Sequence, residues 1–203
     1  MFTSAMSKQY TGPIQLVVLD FAGTLVDGPQ NLSDQYPGDD GKGVKAPVIT
    51  FDEILREYGI ELTWERIREP MGLYKKDHLR VLLETEEATE QFYDEHGREW
   101  TESDLEQIYT EFYNLLNEMV VQDELASPVS GAKETVDRLQ TEGKLVSNTT
   151  GYAKETAETL NRKLVEEFDI ELDFMTHSDA VETGRPAPWM IYQGMRELGV
   201  YPP

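Results

Sequence analysis

A carboxylate and an amine stand in this 203-residue chain in settings that could make them reactive. The carboxylate is Asp20. It follows the valine-rich apolar run Leu16 to Leu19, too short for a typical helix, and it precedes the turn Phe21-Ala22-Gly23-Thr24. A buried parallel strand has this appearance, and ligands of open α/β sheets bind in the crevice beyond the strands' carboxyl ends. There Asp20 could attack a phosphoryl group. Gly23 would let the backbone approach an anion, and Thr24 would offer a hydroxyl and an amide. The same letters also describe a plain strand end with an Asp turn.

The amine lies between Pro70 and Arg80, in P-M-G-L-Y-K-K-D-H-L-R. On a helix, Met71, Lys75, His78 and Leu79 share one face, and Lys76 is turned toward solvent. A lysine among apolar groups has a depressed pKa and presents a neutral amine. Such an amine attacks carbonyls to form Schiff bases, and His78 could move protons during that step. Spacing alone equally allows a surface lysine whose stem lies along the helix. A further stretch, Thr149-Thr150-Gly151-Tyr152, ends a second strand, Leu145 to Thr149, and opens a helix. A hydroxyl and amides there make an anion site, or simply a helix cap. His96 and His177 have no such company and read as ordinary loop or surface histidines.

These groups need a scaffold, and the element order supplies one. Residues 1–12 read as a disordered leader. A polar stretch from Gly28 to Lys45 reads as a loop insertion. Helical periodicity starts near Thr50, with Phe51, Ile54, Leu55 and Tyr58, and Gly59 ends it. Thr63 opens a second helix and Met71 a third. Another runs from about Ser103 to Met119, with Leu105, Ile108, Tyr109, Phe112 and Leu116 as its buried stripe. No strand pattern interrupts 50–120. Then come helix 132–140, strand 145–149, helix 153–167 with Ala157, Leu160, Leu164 and Val165 inward, a short strand 172–176, and a last helix from Pro188 to Leu198. This order implies an α/β fold, a Rossmann-like parallel sheet with an inserted α-helical cap. The boundaries predicted are 1–27 with 121–203 for the core, 28–47 for the loop and 48–120 for the cap.

Composition narrows the partners. There is no cysteine, so there is neither a disulfide nor a thiolate metal site; this fits a cytoplasmic protein. No secretory signal or membrane-spanning run is evident. With 18 basic and 39 acidic residues the net charge is −21, which disfavours binding to nucleic acid or anionic membranes.

The Asp20 turn resembles the first motif of the haloacid dehalogenase-type phosphotransferases, and Ala22, where most phosphatases of that group have a second Asp, matches the phosphonatase form of it. Met71-Gly72-x-x-Lys75-x-Asp77-His78 resembles the phosphonatase cap signature, Thr149-Thr150-Gly151-Tyr152 the second motif, and Gly184-Arg185-Pro186-Ala187-Pro188-Trp189 the third. The match runs over almost the whole chain from about Ile14. The resemblance implies hydrolysis of the carbon–phosphorus bond of phosphonoacetaldehyde to acetaldehyde and phosphate. Lys75 would form the substrate imine, with Met71 and His78 as companions, and Asp20 would attack phosphorus. Thr150 would bind a phosphoryl oxygen, with Gly151 and Tyr152 beside it, and Arg185 would neutralise phosphoryl charge and orient Asp20. Magnesium would be held by Asp20 and the Ala22 carbonyl, cap closure would exclude water, and a homodimer would form through the cap. The family continues with a fourth strand and further metal-binding carboxylates beyond the position of Pro203, so the 203 residues are expected to form an incomplete core, essentially inactive and aggregation-prone. Competing readings are an ester phosphatase of the same fold, which Ala22 disfavours; a lysine-dependent aldolase, which leaves Asp20, Thr150 and Arg185 idle; and a non-catalytic remnant that binds a partner.

So acidic a composition resembles proteins of salt-rich cytoplasms. Screening would relieve self-repulsion among the carboxylates. The melting temperature is therefore expected to climb clearly as potassium chloride reaches molar levels, and a flat or falling response would remove the halophilic reading.

Overall fold

The computed structural model describes residues 12–27, 36, 44–120 and 126–201. The leader and most of the polar stretch from Gly28 to Lys45 thus lie outside the described residues. Strand β1 (Leu16–Asp20) pairs in parallel with β4 (Leu145–Thr149), in a register that runs from Leu16 opposite Leu145 to Asp20 opposite Thr149. The two motif-bearing strands therefore end side by side. The strand expected at 172–176 is reduced to one parallel bridge, Phe174 to Ser147. Side chains replace the missing ladder. Asp173 accepts from the Val146 amide at 2.8 Å, and Asn148 both donates to the Thr176 carbonyl at 3.2 Å and accepts from its amide at 2.8 Å.

Between β1 and β4 the chain makes a long excursion. It leaves through β2 (Val26–Asp27) and returns through β3 (Ser127–Pro128), and the two pair antiparallel. This short ladder, too brief to leave a periodic signature, ties together the two crossings into the cap. Among its described residues the excursion holds five helices: α1 (Ala46–Glu57), α2 (Trp64–Arg68), α3 (Lys75–Leu83), α4 (Glu86–His96) and α5 (Glu102–Met119). Threonine side chains cap three of them: Thr63, Thr85 and Thr101, the last with Asp104 in a reciprocal capping box. The stripe Leu105, Ile108, Phe112, Leu116 of α5 is fully buried, and Phe112 stacks on Phe51 of α1 with ring centres 4.2 Å apart. Tyr109, on the same stripe, is only partly buried and donates to the Tyr74 hydroxyl at 2.9 Å.

Three local departures from expectation have simple causes. Helix α1 begins at Ala46, earlier than its apolar period, because Pro47 suits a helix's first turn. Helix α3 begins at Lys75, so Met71 sits in the preceding turn and not on the helix. Helix α4 was not anticipated; it buries only Ala88 and Phe92, too little for a readable period.

The rest of the core follows as α6 (Ala132–Thr141), α7 (Lys154–Phe168) and α8 (Trp189–Glu197). Ala157, Leu160 and Leu164 of α7 are buried, whereas Val165 is 37% exposed. It lies about 100° around the helix from Leu164, beyond the edge of that stripe. No helix among the described residues is long and apolar enough to cross a membrane.

Helix α8 is seated on β4 through a glycine. A Cβ at Gly194 would lie 2.9 Å from Ser147 Oγ. Gly→Ala inside a helix ordinarily stabilises by about 0.5–1 kcal/mol, but overpacking against Ser147 opposes this. Gly194→Ala is expected to destabilise by about 1–2 kcal/mol, and to become stabilising in a Ser147→Ala background. Urea unfolding of the four variants measures the cycle; the same effect in both backgrounds would rule out the contact as the constraint.

Candidate active site

A cavity of about 100 Å³ lies where the helical layer meets the ends of β1 and β4, walled by Asp20, Ala22, Val44, Met71, Gly72, Lys75, Thr150, Gly151, Tyr152 and Arg185. Eight of these were singled out from sequence; Val44 and Gly72 were not assigned a role. Val44 sits at the end of a polar stretch and carries no local signal. Gly72 belongs to the Met-Gly turn and has φ +105°, a conformation that favours glycine.

Asp20 is placed by the parallel register and oriented by two donors. Its Oδ1 accepts from the Phe21 amide at 2.8 Å and from Arg185 Nη1 at 2.7 Å. Among the described residues Oδ2 takes no hydrogen bond, and Asp20 is part of the cavity wall. Arg185 also donates from Nε to the Gly72 carbonyl at 3.1 Å. One guanidinium therefore holds the core carboxylate and the cap backbone together, a charge-assisted geometry that arginine's fixed fork suits. A second close approach lies beside it: a Cβ on Gly151 would come within 2.7 Å of the Leu73 carbonyl. Only glycine lets the two layers meet there.

Lys75 opens α3 and is buried. Its Nζ donates to Met71 Sδ at 3.3 Å, so the turn position of Met71 preserves the contact that a continuous helix would have made. Burial pushes the ammonium down from 10.5 to about 7; the Arg185 charge pushes the same way and Asp20 opposes. Lys76, by contrast, faces outward and pairs with Glu106. The choice between the two lysines made from helical spacing agrees with this placement.

His78 lies buried behind Lys75 and does not wall the cavity. Its Nε2 is 2.8 Å from the Ile67 carbonyl. A carbonyl only accepts, so Nε2 carries the proton and Nδ1 is a lone pair, buried without a hydrogen-bond partner. Burial, then the Lys75 charge, lowers its pKa to about 3 against the opposing effect of the Ile67 bond. His78 is thus a neutral imidazole at physiological pH.

Thr150 and Tyr152 form the floor. Thr150 Oγ1 accepts from the Tyr152 amide at 3.1 Å. Burial, and then the Asp27 and Asp20 charges, raise the Tyr152 phenol far above its ordinary value, so it stays neutral. The first amide of α7, Lys154, is taken by Asp179 at 2.9 Å, and the residues of this motif at the cavity are Thr150, Gly151 and Tyr152. Gly23 and Thr24 are exposed in the turn beyond Ala22, outside the cavity wall. His96 and His177 are engaged elsewhere, with the Tyr58 carbonyl and Asp179.

For a hard cation the described residues provide Asp20 and the Ala22 carbonyl, with no cluster of three acidic or imidazole side chains among them. A carboxylate and a backbone carbonyl are hard oxygen donors, and beside a pocket sized for a phosphoryl group they fit magnesium, which commonly completes its shell with substrate phosphates and water.

Residues 14–202 match the family model of the haloacid dehalogenase-like hydrolases. Proteins named phosphonoacetaldehyde hydrolase from Bacillus cereus and Bacillus anthracis are 35% identical over 189 residues, which is 93% of this chain and 65% of theirs. The chain thus spans about two thirds of the length of these relatives. A phosphonoacetaldehyde hydrolase-like protein from Oleispira antarctica has a structure that superposes with TM-score 0.79 at 28% identity, over 93% of this chain and 62% of that one. A predicted phosphoglycolate phosphatase from Haemophilus somnus shares the fold, at TM-score 0.66 and 15% identity. With a family model covering nearly every described residue and the Asp20 strand end at its heart, this chain belongs to the haloacid dehalogenase-like hydrolases.

Proposed function

We propose that this chain carries the nucleophile and imine-forming residues of a phosphonoacetaldehyde hydrolase. The single observation that carries the reading is Lys75: a buried amine titrating near 7 that shares one small cavity with Asp20 and Arg185. An ester phosphatase of this fold has no use for such an amine. Breaking a carbon–phosphorus bond does, because the departing carbon needs an electron sink.

The steps follow from the residues. Neutral Lys75 attacks the aldehyde carbon and loses water to give a protonated imine. Asp20 Oδ2, the oxygen left open by Arg185, attacks phosphorus. The carbon–phosphorus electron pair moves into the imine, leaving an enamine on Lys75 and a phosphoryl group on Asp20. Water then hydrolyses the aspartyl phosphate to phosphate; the enamine takes a proton on carbon and is hydrolysed to acetaldehyde, restoring Lys75. Arg185 and Thr150 hold the phosphoryl oxygens, and Arg185 keeps the cap seated while they are present. Asp20 and the Ala22 carbonyl would hold magnesium, which supplies charge neutralisation at the phosphoryl oxygens. His78, neutral and bound to Ile67, positions α3; with its pKa lowered to about 3 and its ring off the cavity wall, it is not assigned a proton transfer.

Borohydride added with phosphonoacetaldehyde should leave a reduced adduct on Lys75, located by peptide mass. Trapping should rise with pH through about 7, because the unprotonated amine is the reactive form and its pKa is lowered to that value. A midpoint near 10 or an adduct on Lys76 would overturn the assignment.

A further inference from the structure

We infer that Phe51 and Tyr152 form an aromatic clamp that stabilises positive charge on Lys75 Nζ, and with it the iminium that Lys75 forms with an aldehyde. This rests on the imine reading above and adds a positioning role for Phe51, a residue so far assigned only to the core.

The geometry is direct. Lys75 Nζ lies 5.9 Å from the ring centre of Phe51 and 5.7 Å from that of Tyr152, within the range at which a ring's negative face attracts a cation. Among the described residues its one hydrogen-bond acceptor is the Met71 thioether, a weak one. Among the described residues no carboxylate stands within ion-pair distance of Nζ. The charged and titratable groups facing it are few. Asp20 at the end of β1 is paired to Arg185; Arg185 repels the ammonium; His78 on the same helix is neutral; and Tyr152 keeps its proton. Besides the longer-range attraction of Asp20, the two rings are the favourable partners for a cation among the described residues.

Both rings are fixed before any charge arrives. Phe51 is fully buried, stacked on Phe112 at 4.2 Å and tilted against His78 at 4.2 Å. The Tyr152 carbonyl accepts from both the amide and the hydroxyl of Ser178, at 2.8 and 2.9 Å. Phe51 comes from the helical layer and Tyr152 from the end of β4, so the clamp exists only where the layers meet. The choice of rings has a chemical reason. A carboxylate at this place would hold the amine protonated and remove its nucleophilicity. Ring faces favour the cation weakly enough for the free amine to persist, yet they are present when the imine must be cationic to accept the carbon–phosphorus electrons.

The test grades the ring at constant shape. Phe51 is replaced by 4-fluoro-, 3,5-difluoro- and pentafluorophenylalanine, and Lys75 is trapped with acetaldehyde and borohydride at a single alkaline pH, well above the Lys75 pKa of about 7, where the resting lysine is the free amine and only the iminium carries charge. Acetaldehyde carries no phosphorus, so the outcome is independent of phosphonate cleavage. Trapping should fall stepwise with fluorination, about tenfold over the series, with melting temperatures matched, and Phe51→Tyr should retain it. Equal trapping across the series would overturn the clamp and leave the imine standing. Failure of any aldehyde to label Lys75 in the unsubstituted protein would overturn both.

Discussion

The burial of an amine without a carboxylate beside it is the condition on which the site depends. Moving the Lys75 pKa from 10.5 to about 7 disfavours the charged form by roughly 5 kcal/mol. The fold must supply that from apolar packing, and it does so with the α1–α5 pair. Phe51, Phe112 and His78 form one stack under the lysine, and His78 is itself pinned to the Ile67 carbonyl at the end of α2. Three helices thus converge to keep water from one nitrogen. The neutrality of His78 belongs to the same arrangement: a second charge behind Lys75 would be as costly as the first.

The junction between the layers is the second requirement. Asp20 and Lys75 are on different layers and become one site only when those layers touch. Arg185 joins them with a single side chain, Nη1 on Asp20 and Nε on the Gly72 carbonyl. Gly151 removes the side chain that would hold Leu73 away. The β2–β3 ladder keeps the two crossings together. In the proposed reaction, recognition of phosphoryl charge and seating of the cap would therefore share this residue, a physical reason for the chemistry to wait until the layers meet.

Much of this was legible in the letters because it is local. An apolar run ending in Asp20, a short strand ending in Thr149-Thr150-Gly151, and an arginine in a proline loop each announce a strand or loop end, and parallel pairing then aligns the first two without further information. Helical spacing separated Lys75 from Lys76. What the letters left out is non-local. The helical period, read forward from Met71, runs through a turn that the chain makes before α3. The short strand at 172–176 gives way to side-chain bonds from Asn148 and Asp173. Helix α4 has too small a buried face to register.

By itself, then, the sequence determined which groups lie at the ends of which elements, since a strand's end and a helix's face depend on neighbours a few positions away. It could not say that His78 would be neutral and behind the lysine, that Phe51 and Tyr152 would flank it, or that a Gly72 carbonyl would meet Arg185. Those facts depend on how residues up to 113 positions apart, Gly72 and Arg185 among them, approach when the helical layer settles on the sheet. Burial alters an ionisable group only once its surroundings are complete, and for Lys75 those surroundings come from both layers.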